Sequence, residues 1–220
     1  HGRYRILLNQ NIVSIFKTRM IHGEGVNTQF YQSDHSPIAP FTFLFVGRVL
    51  WDKGIGEFVA AAKVVKKQHP HVQFHILGQL GANNPACVGI QQMQKWENSG
   101  VVKYMGETDN VLPFIQDASC IVLPSYREGV SRVLMEAASM QRPIIASAVP
   151  GCKEIVRDGE NGFVCEPHDV NSLVACMMHM LSLSDKERQQ FGAMGRRWVV
   201  QCYDEQIVIQ RYIDKISELL

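Results

Sequence analysis

From residue 41 onward the chain alternates between short apolar runs and longer stretches in which apolar residues recur every three or four positions. Phe41–Val46, Val72–Leu77, Val101–Met105, Ser119–Leu123, Pro143–Ser147 and Gly162–Val164 carry almost no polar residue or are bounded by turn formers, which predicts strands. Between them, Gly54–His69 sets Phe58, Ala61, Ala62 and Val65 on one helical face, and helices are also predicted over Pro85–Asn98, Val111–Asp117 and Ser131–Met140. Cys152–Val156 predicts one helical turn, and Val170–Leu183, Ser184–Val200 and Asp204–Leu220 predict three closing helices. The first 40 residues are less regular. Ile12–Met20 fits a short helix, His22–Thr28 a Gly-rich turn, and Ser33–Pro40 a polar, Pro-containing loop.

Strands that are apolar on both faces and alternate with helices imply a parallel sheet covered on both sides. The expected architecture is therefore α/β: a Rossmann-like, doubly wound parallel sheet with helices on both faces and a helical C-terminal tail. Ligands of such folds bind at the carboxyl ends of the strands. Gly47, Gly78, Gly106 and Glu128 all fall there.

Bulk properties narrow the function classes. With 220 residues the chain is long enough for one well-packed domain. A net charge of +1 gives no broad electrostatic reason to expect nucleic acid or a membrane as partner. No apolar run approaches the roughly 20 residues of a transmembrane helix. The start carries neither a signal-peptide pattern nor an initiator Met, so the expectation is a chain that begins inside a longer protein or after processing. Six scattered cysteines without a C-x-x-C pair read as reduced thiols of a cytoplasmic protein. The eight histidines lack metal-ligand spacing, so no metal is expected.

Candidate chemistry concentrates in EGVSRVLME, which places Glu128 and Glu136 eight positions apart between a strand and a helix. A strand, a turn at Gly129 and a helix start near Ser131 form an anion site, because free N–H groups and the helix dipole point outward together. Carboxylates beside such a site cannot bind phosphate, and hydroxyl groups are their natural partners. A cradle for phosphate flanked by two hydroxyl acceptors suits a nucleotide-sugar. Upstream, Gly47-Arg48 ends a strand and Lys53 precedes a helix. A planar guanidinium and a point charge at that edge could hold a diphosphate.

This run resembles the E-x7-E region of retaining glycosyltransferases of GT-B architecture. Phe43–Gly54 looks like the family's G-R-x4-K segment, and His22–Thr28 is similar to the G-x-G-V-[DN]-T segment that closes its interdomain linker. Gly106–Val111 resembles the loop beside the nucleobase. The matches run in the family's order from about Gly23 to the C-terminus. They correspond to the C-terminal, donor-binding half of a GT-B protein, with the acceptor-binding N-terminal domain missing. The resemblance thus implies residues 1–40 as linker or end of that domain, 41–200 as the donor-binding domain and 201–220 as a C-terminal helix.

By the same resemblance, Glu136 accepts from the ribose hydroxyls, and Glu128 contacts the transferred sugar near its O3. Backbone N–H groups of Gly129, Val130 and Ser131, with Gly47 nearby, meet the donor. Arg48 and Lys53 neutralise charge on the departing diphosphate, the largest catalytic contribution assigned. No divalent metal or other cofactor is then required. Val130-Ser131-Arg132 departs from the aromatic or proline residues usual there, which leaves sugar identity open. Val149–Glu154 resembles members that build lipid-linked or surface polysaccharides. The implied partners are a UDP-hexose or UDP-N-acetylhexosamine and, through the missing domain, a glycan or lipid-linked acceptor, which leaves room for peripheral association with the cytoplasmic face of a membrane. Nucleic acid is not an expected partner.

Three other readings compete. A dinucleotide oxidoreductase needs G-x-G-x-x-G, and Gly54-Ile-Gly56 fails at the third glycine. A non-hydrolysing sugar-nucleotide epimerase shares the GT-B architecture. A nucleotide-sugar binding module without turnover fits the isolated 220 residues, because transfer needs an acceptor domain and a closed cleft.

Overall fold

The computed structural model describes residue 10 and residues 23–33, 39–81 and 84–218. The expected helix at Ile12–Met20 and most of the Ser33–Pro40 loop lie outside the described residues. Six strands form one fully parallel sheet: β1 (Thr42–Val46), β2 (Gln73–Leu77), β3 (Lys103–Tyr104), β4 (Cys120–Leu123), β5 (Ile144–Ser147) and β6 (Gly162–Cys165). Their order is β3-β2-β1-β4-β5-β6. Every residue of β1, β4 and β5 is buried, which explains why these strands read as unbroken apolar runs rather than alternating ones.

Among the described residues the α-helices are α1 (Ile55–Gln68), α2 (Ile90–Asn98), α3 (Leu112–Gln116), α4 (Arg132–Ser139), α5 (Pro150–Lys153), α6 (Val170–Ser182), α7 (Asp185–Cys202) and α8 (Glu205–Ser217). Because the sheet grows outward from β1 and β4 in opposite directions, right-handed crossovers put α1 and α4 on opposite faces. Accordingly α1 packs on α6, and α4 packs on α7. The α1 stripe of Ile55, Phe58, Ala61, Ala62 and Val65 meets Phe45 and Phe74 of the sheet, with Phe58 5.8 Å from Phe45 and 5.9 Å from Phe74 between ring centroids. Burying side chains of this size stabilises the fold by about 1.5–3 kcal/mol each. Helix α7 starts with a reciprocal capping box between Ser184 and Glu187.

Local competition for backbone hydrogen bonds moves some boundaries. The helix expected over Pro85–Asn98 begins only at Ile90, because Ala86 and Val88 are already committed. The Ala86 carbonyl accepts from Trp51 N–H (2.8 Å), and Val88 N–H donates to Val49 (3.0 Å). The strand expected over 101–105 narrows to Lys103–Tyr104 at the sheet edge. The turn expected at Cys152–Val156 starts earlier, where Pro150 at the first helical position presets φ. Helix α7 continues through residue 200 to Cys202 and breaks at Tyr203, after which Asp204 caps α8.

Two glycines allow loops to meet at the carboxyl edge. Gly54 adopts φ +73°, and a Cβ there would lie 2.1 Å from the Pro124 carbonyl oxygen. A Cβ on Gly151 would lie 1.5 Å from the Gly129 oxygen. Both neighbours are backbone, which cannot swing aside. Gly151→Ala should therefore cost about 1–3 kcal/mol, as overpacking does. Gly129→Ala, whose new methyl meets nothing within 4 Å, should be nearly neutral. Urea midpoints of the two variants check this; equal midpoints would contradict the close approach.

Candidate functional site

Order 3-2-1-4-5-6 reverses between β1 and β4, and the crevice at that reversal is where open α/β sheets bind ligands. Its walls are the segment after β1, which carries Gly47, Arg48 and a 3-10 turn at Trp51–Lys53, and the segment after β4, which leads through Glu128 into α4. The Gly54–Pro124 approach joins them, and Tyr126 N–H adds a hydrogen bond to the Asp52 carbonyl (2.9 Å).

This junction brings Lys53 and Glu128 together. Lys53 Nζ lies 2.6 Å from Glu128 Oε1, and their side chains are only 18% and 12% exposed. Ser125 Oγ donates to the same oxygen (2.8 Å), and Ser147 Oγ donates to the Ser125 carbonyl. Glu128 is thus a positioned acceptor, engaged before any ligand arrives. A charge-assisted contact of this kind contributes about 1.5–3 kcal/mol. Arg48, by contrast, is exposed and forms no ion pair among the described residues. Of the two cations read as able to hold a diphosphate, Lys53 is thus engaged by a carboxylate and Arg48 is not, among the described residues.

The second carboxylate has its own surroundings. Glu136 is 5% exposed and projects from the second turn of α4. Arg132 Nε donates to its Oε1 (3.1 Å), and the Tyr31 hydroxyl lies close enough to the same carboxylate to interact with it electrostatically. Burial raises the Glu136 pKa, while Tyr31 and Arg132 pull it back. Burial and the neighbouring carboxylate push the Tyr31 hydroxyl up to about 12. Ser131 is the N-cap residue of α4 and makes no side-chain cap bond, so the first N–H groups of this helix lack a side-chain acceptor from it. Val130 sits under Gly23 of the upstream segment, where a Cβ on Gly23 would be 3.0 Å from Val130 Cγ1.

Several contributors escaped the sequence reading. Tyr31 reaches Glu136 because Arg196 of α7 holds the Tyr31 and Thr28 carbonyls (3.1 Å each) and Ser139 Oγ donates to the Tyr31 carbonyl (2.7 Å). Nothing local in the sequence signals so distant a contact. Ser125 and Tyr126 directly follow an apolar strand, so their position was legible although their roles were not. Tyr126 donates its hydroxyl to Glu57 (2.7 Å), and burial followed by Glu57 raises its pKa. His168 covers the Tyr126 ring at 3.5 Å between centroids, and holds a left-handed φ of 62° that is uncommon outside glycine. Among the described residues no group of three or more His, Cys, Asp or Glu is placed to hold a metal ion.

Chemically, the crevice offers an uncapped helix start and cations for an anion, with two carboxylates for hydroxyls. Known proteins resemble this chain in sequence and in fold. The glycosyl transferases group 1 family matches residues 29–198. The N,N'-diacetylbacillosaminyl-diphospho-undecaprenol alpha-1,3-N-acetylgalactosaminyltransferase of Campylobacter jejuni is 29% identical over 180 residues, 82% of this chain and 44% of that protein. The chain thus spans less than half the length of this relative. Sucrose-phosphate synthase from Thermosynechococcus elongatus superposes with a TM-score of 0.82 at 24% identity, over 99% of this chain and 56% of that one. Anabaena HepE in complex with UDP gives a TM-score of 0.79 at 17% identity, over 97% and 61%. At these identities the two structures establish the shared fold.

The raised Glu136 pKa carries a definite sign. The folded chain holds this proton more tightly than the unfolded chain, whose carboxyl titrates near 4.3. Between that value and the raised one, stability from this group grows as pH falls and is lost as pH rises. Denaturation midpoints of wild type minus Glu136→Gln should therefore climb on acidification from neutrality towards about pH 5. A flat or falling difference would mean that Arg132 and Tyr31 outweigh burial.

Proposed function

Because the chain belongs to the glycosyl transferases group 1 family, we propose that it is the donor-binding part of a retaining glycosyltransferase. The donor is a UDP-hexose or UDP-N-acetylhexosamine. The acceptor is a glycan or lipid-linked glycan of surface polysaccharide synthesis, presented by a further domain. The observation that carries this reading is the junction at the sheet reversal, where Lys53 and Glu128 meet beside the uncapped start of α4. The Campylobacter jejuni relative, named for transfer of N-acetylgalactosamine to a diphospho-undecaprenol-linked sugar, supports the acceptor class. HepE, solved with UDP on the same fold, supports the nucleotide.

Roles follow from chemistry and placement. Glu136, buried on α4, accepts hydrogen bonds from the ribose hydroxyls, with Arg132 fixing its orientation. Gly47 and the N–H groups of Gly129, Val130 and Ser131 border the phosphates and sugar. Lys53 stands between two acceptors, the Glu128 carboxylate and the incoming diphosphate. Donor binding lets the ammonium bridge both, since it has three donor hydrogens. Arg48, unpaired among the described residues, supplies the second cation. Together they offset negative charge that grows on the leaving diphosphate as the glycosidic bond breaks. Glu128 then presents its remaining acceptor capacity to a sugar hydroxyl. Its engagement by Lys53 and Ser125 suits positioning better than nucleophilic attack. With these side chains carrying the charge, the proposal needs no metal or other cofactor.

Calorimetric titration with UDP, GDP, ADP and NAD tests the reading. One nucleoside diphosphate should bind preferentially, and Glu136→Ala should weaken it without unfolding the chain. Replacing Arg48 and Lys53 by Ala should weaken UDP by roughly 10–100-fold, about 1.4–2.8 kcal/mol, and leave uridine almost untouched. Equal losses for UDP and uridine would remove the diphosphate clamp, and preferential NAD binding would revive the oxidoreductase.

A further inference from the structure

A second polar concavity lies across α5 from the Glu128 loop. Gly151 of α5 abuts the Gly129 carbonyl, whereas Lys153 at its end lines a cleft of about 400 Å³. Glu154, Arg157, Trp198, Cys202, Tyr203 and Arg211 complete the walls, so α5, α7 and α8 all contribute. The wall is rigid. Trp198 Nε1 (3.0 Å) and the Tyr203 hydroxyl (3.2 Å) both donate to the Glu154 carbonyl. Burial pushes the Tyr203 hydroxyl up to about 12, so it remains protonated near neutral pH. The Arg157 guanidinium lies 3.6 Å from the centre of the Trp198 indole, which holds the fork flat.

Charge is unbalanced in this cleft. Three cations, Lys153, Arg157 and Arg211, face one carboxylate, Glu154. Arg157 has only a long contact with Glu160 (3.5 Å), and Lys153 and Arg211 form no ion pair among the described residues. In a chain of net charge +1, carboxylates are plentiful enough to neutralise such a cluster, yet here the cations converge on open volume.

We propose that this cleft between α5 and the α7–α8 corner is a second anion site, one that takes a phosphoryl group. A stacked guanidinium offers two parallel donors to phosphate oxygens, and two further cations suit a dianion better than a single carboxylate. The ligand is a phosphorylated small molecule or a lipid phosphate headgroup, which share this chemistry. The assignment does not depend on the reading of the Lys53–Glu128 site.

The test follows the indole N–H resonance of Trp198 in the 15N-labelled chain, assigned with Trp198→Phe, during titration with inorganic pyrophosphate. Trp51 and Trp96, which pack together elsewhere at 5.7 Å between ring centroids, report separately on binding at the Lys53 crevice. A saturable shift of Trp198, weakened roughly tenfold or more by Lys153→Ala with Arg211→Ala, is expected for a soluble phosphate ligand. Both substituted side chains are exposed, and an otherwise unchanged spectrum verifies folding. Cosedimentation with phosphatidylglycerol vesicles but not phosphatidylcholine vesicles, lost in the same double variant, identifies the lipid source and equally supports the site. No saturable Trp198 shift and no vesicle binding, or responses equal in wild type and double variant, would overturn it.

Discussion

The site depends on one close approach, that of Gly54 to the Pro124 carbonyl. There is no room for a side chain between these backbones, and the resulting contact sets the 3-10 turn against the segment after β4. Lys53 and Glu128 are 75 positions apart in sequence and become neighbours at 2.6 Å because of it. Tyr126 reinforces the same junction three times, through its N–H to Asp52, its hydroxyl to Glu57 and its ring under His168. A diphosphate bound there would meet a cation whose position is already determined. Less of the ordering cost of that side chain then falls on the binding step.

The buried carboxylate shows a different economy. Glu136 sits where burial disfavours its charge, and Arg132 and Tyr31 offset part of that cost. Tyr31 comes from the segment preceding the sheet, held by Arg196, Ser139 and the Thr28–Asp204 contact. The upstream segment thus does more than connect. It places Tyr31 beside the buried carboxylate, which links this segment to the Glu136 side of the crevice.

Much of this was legible from the residue pattern. Strands buried on both faces leave unbroken apolar runs, so β1, β4 and β5 declared themselves, and α1 did so through its apolar stripe. Strand order did not, because it is decided by crossovers between distant segments. The start of α2 was misplaced because Ala86 and Val88 spend their backbone groups on the Val49–Trp51 segment, a contact invisible to periodicity. For the site, position was readable and partnership was not. Glu128, Glu136, Arg48 and Lys53 lie at the expected sheet edge. The engagement of Lys53 by Glu128 and of Glu136 by Tyr31 depends on tertiary approach. His168 gave no signal either, since a left-handed backbone at a non-glycine residue cannot be read from its identity.

The central claim is that the junction of the β1 and β4 segments holds a nucleoside diphosphate, ribose on Glu136 and phosphates on Lys53 and Arg48. A crystal structure of the chain soaked with UDP tests it most directly. The account predicts both ribose hydroxyls within hydrogen-bond distance of the Glu136 carboxylate, and Lys53 Nζ contacting a β-phosphate oxygen while staying near Glu128. UDP bound elsewhere, or in this crevice with its ribose away from Glu136 and its phosphates away from Lys53, would contradict it.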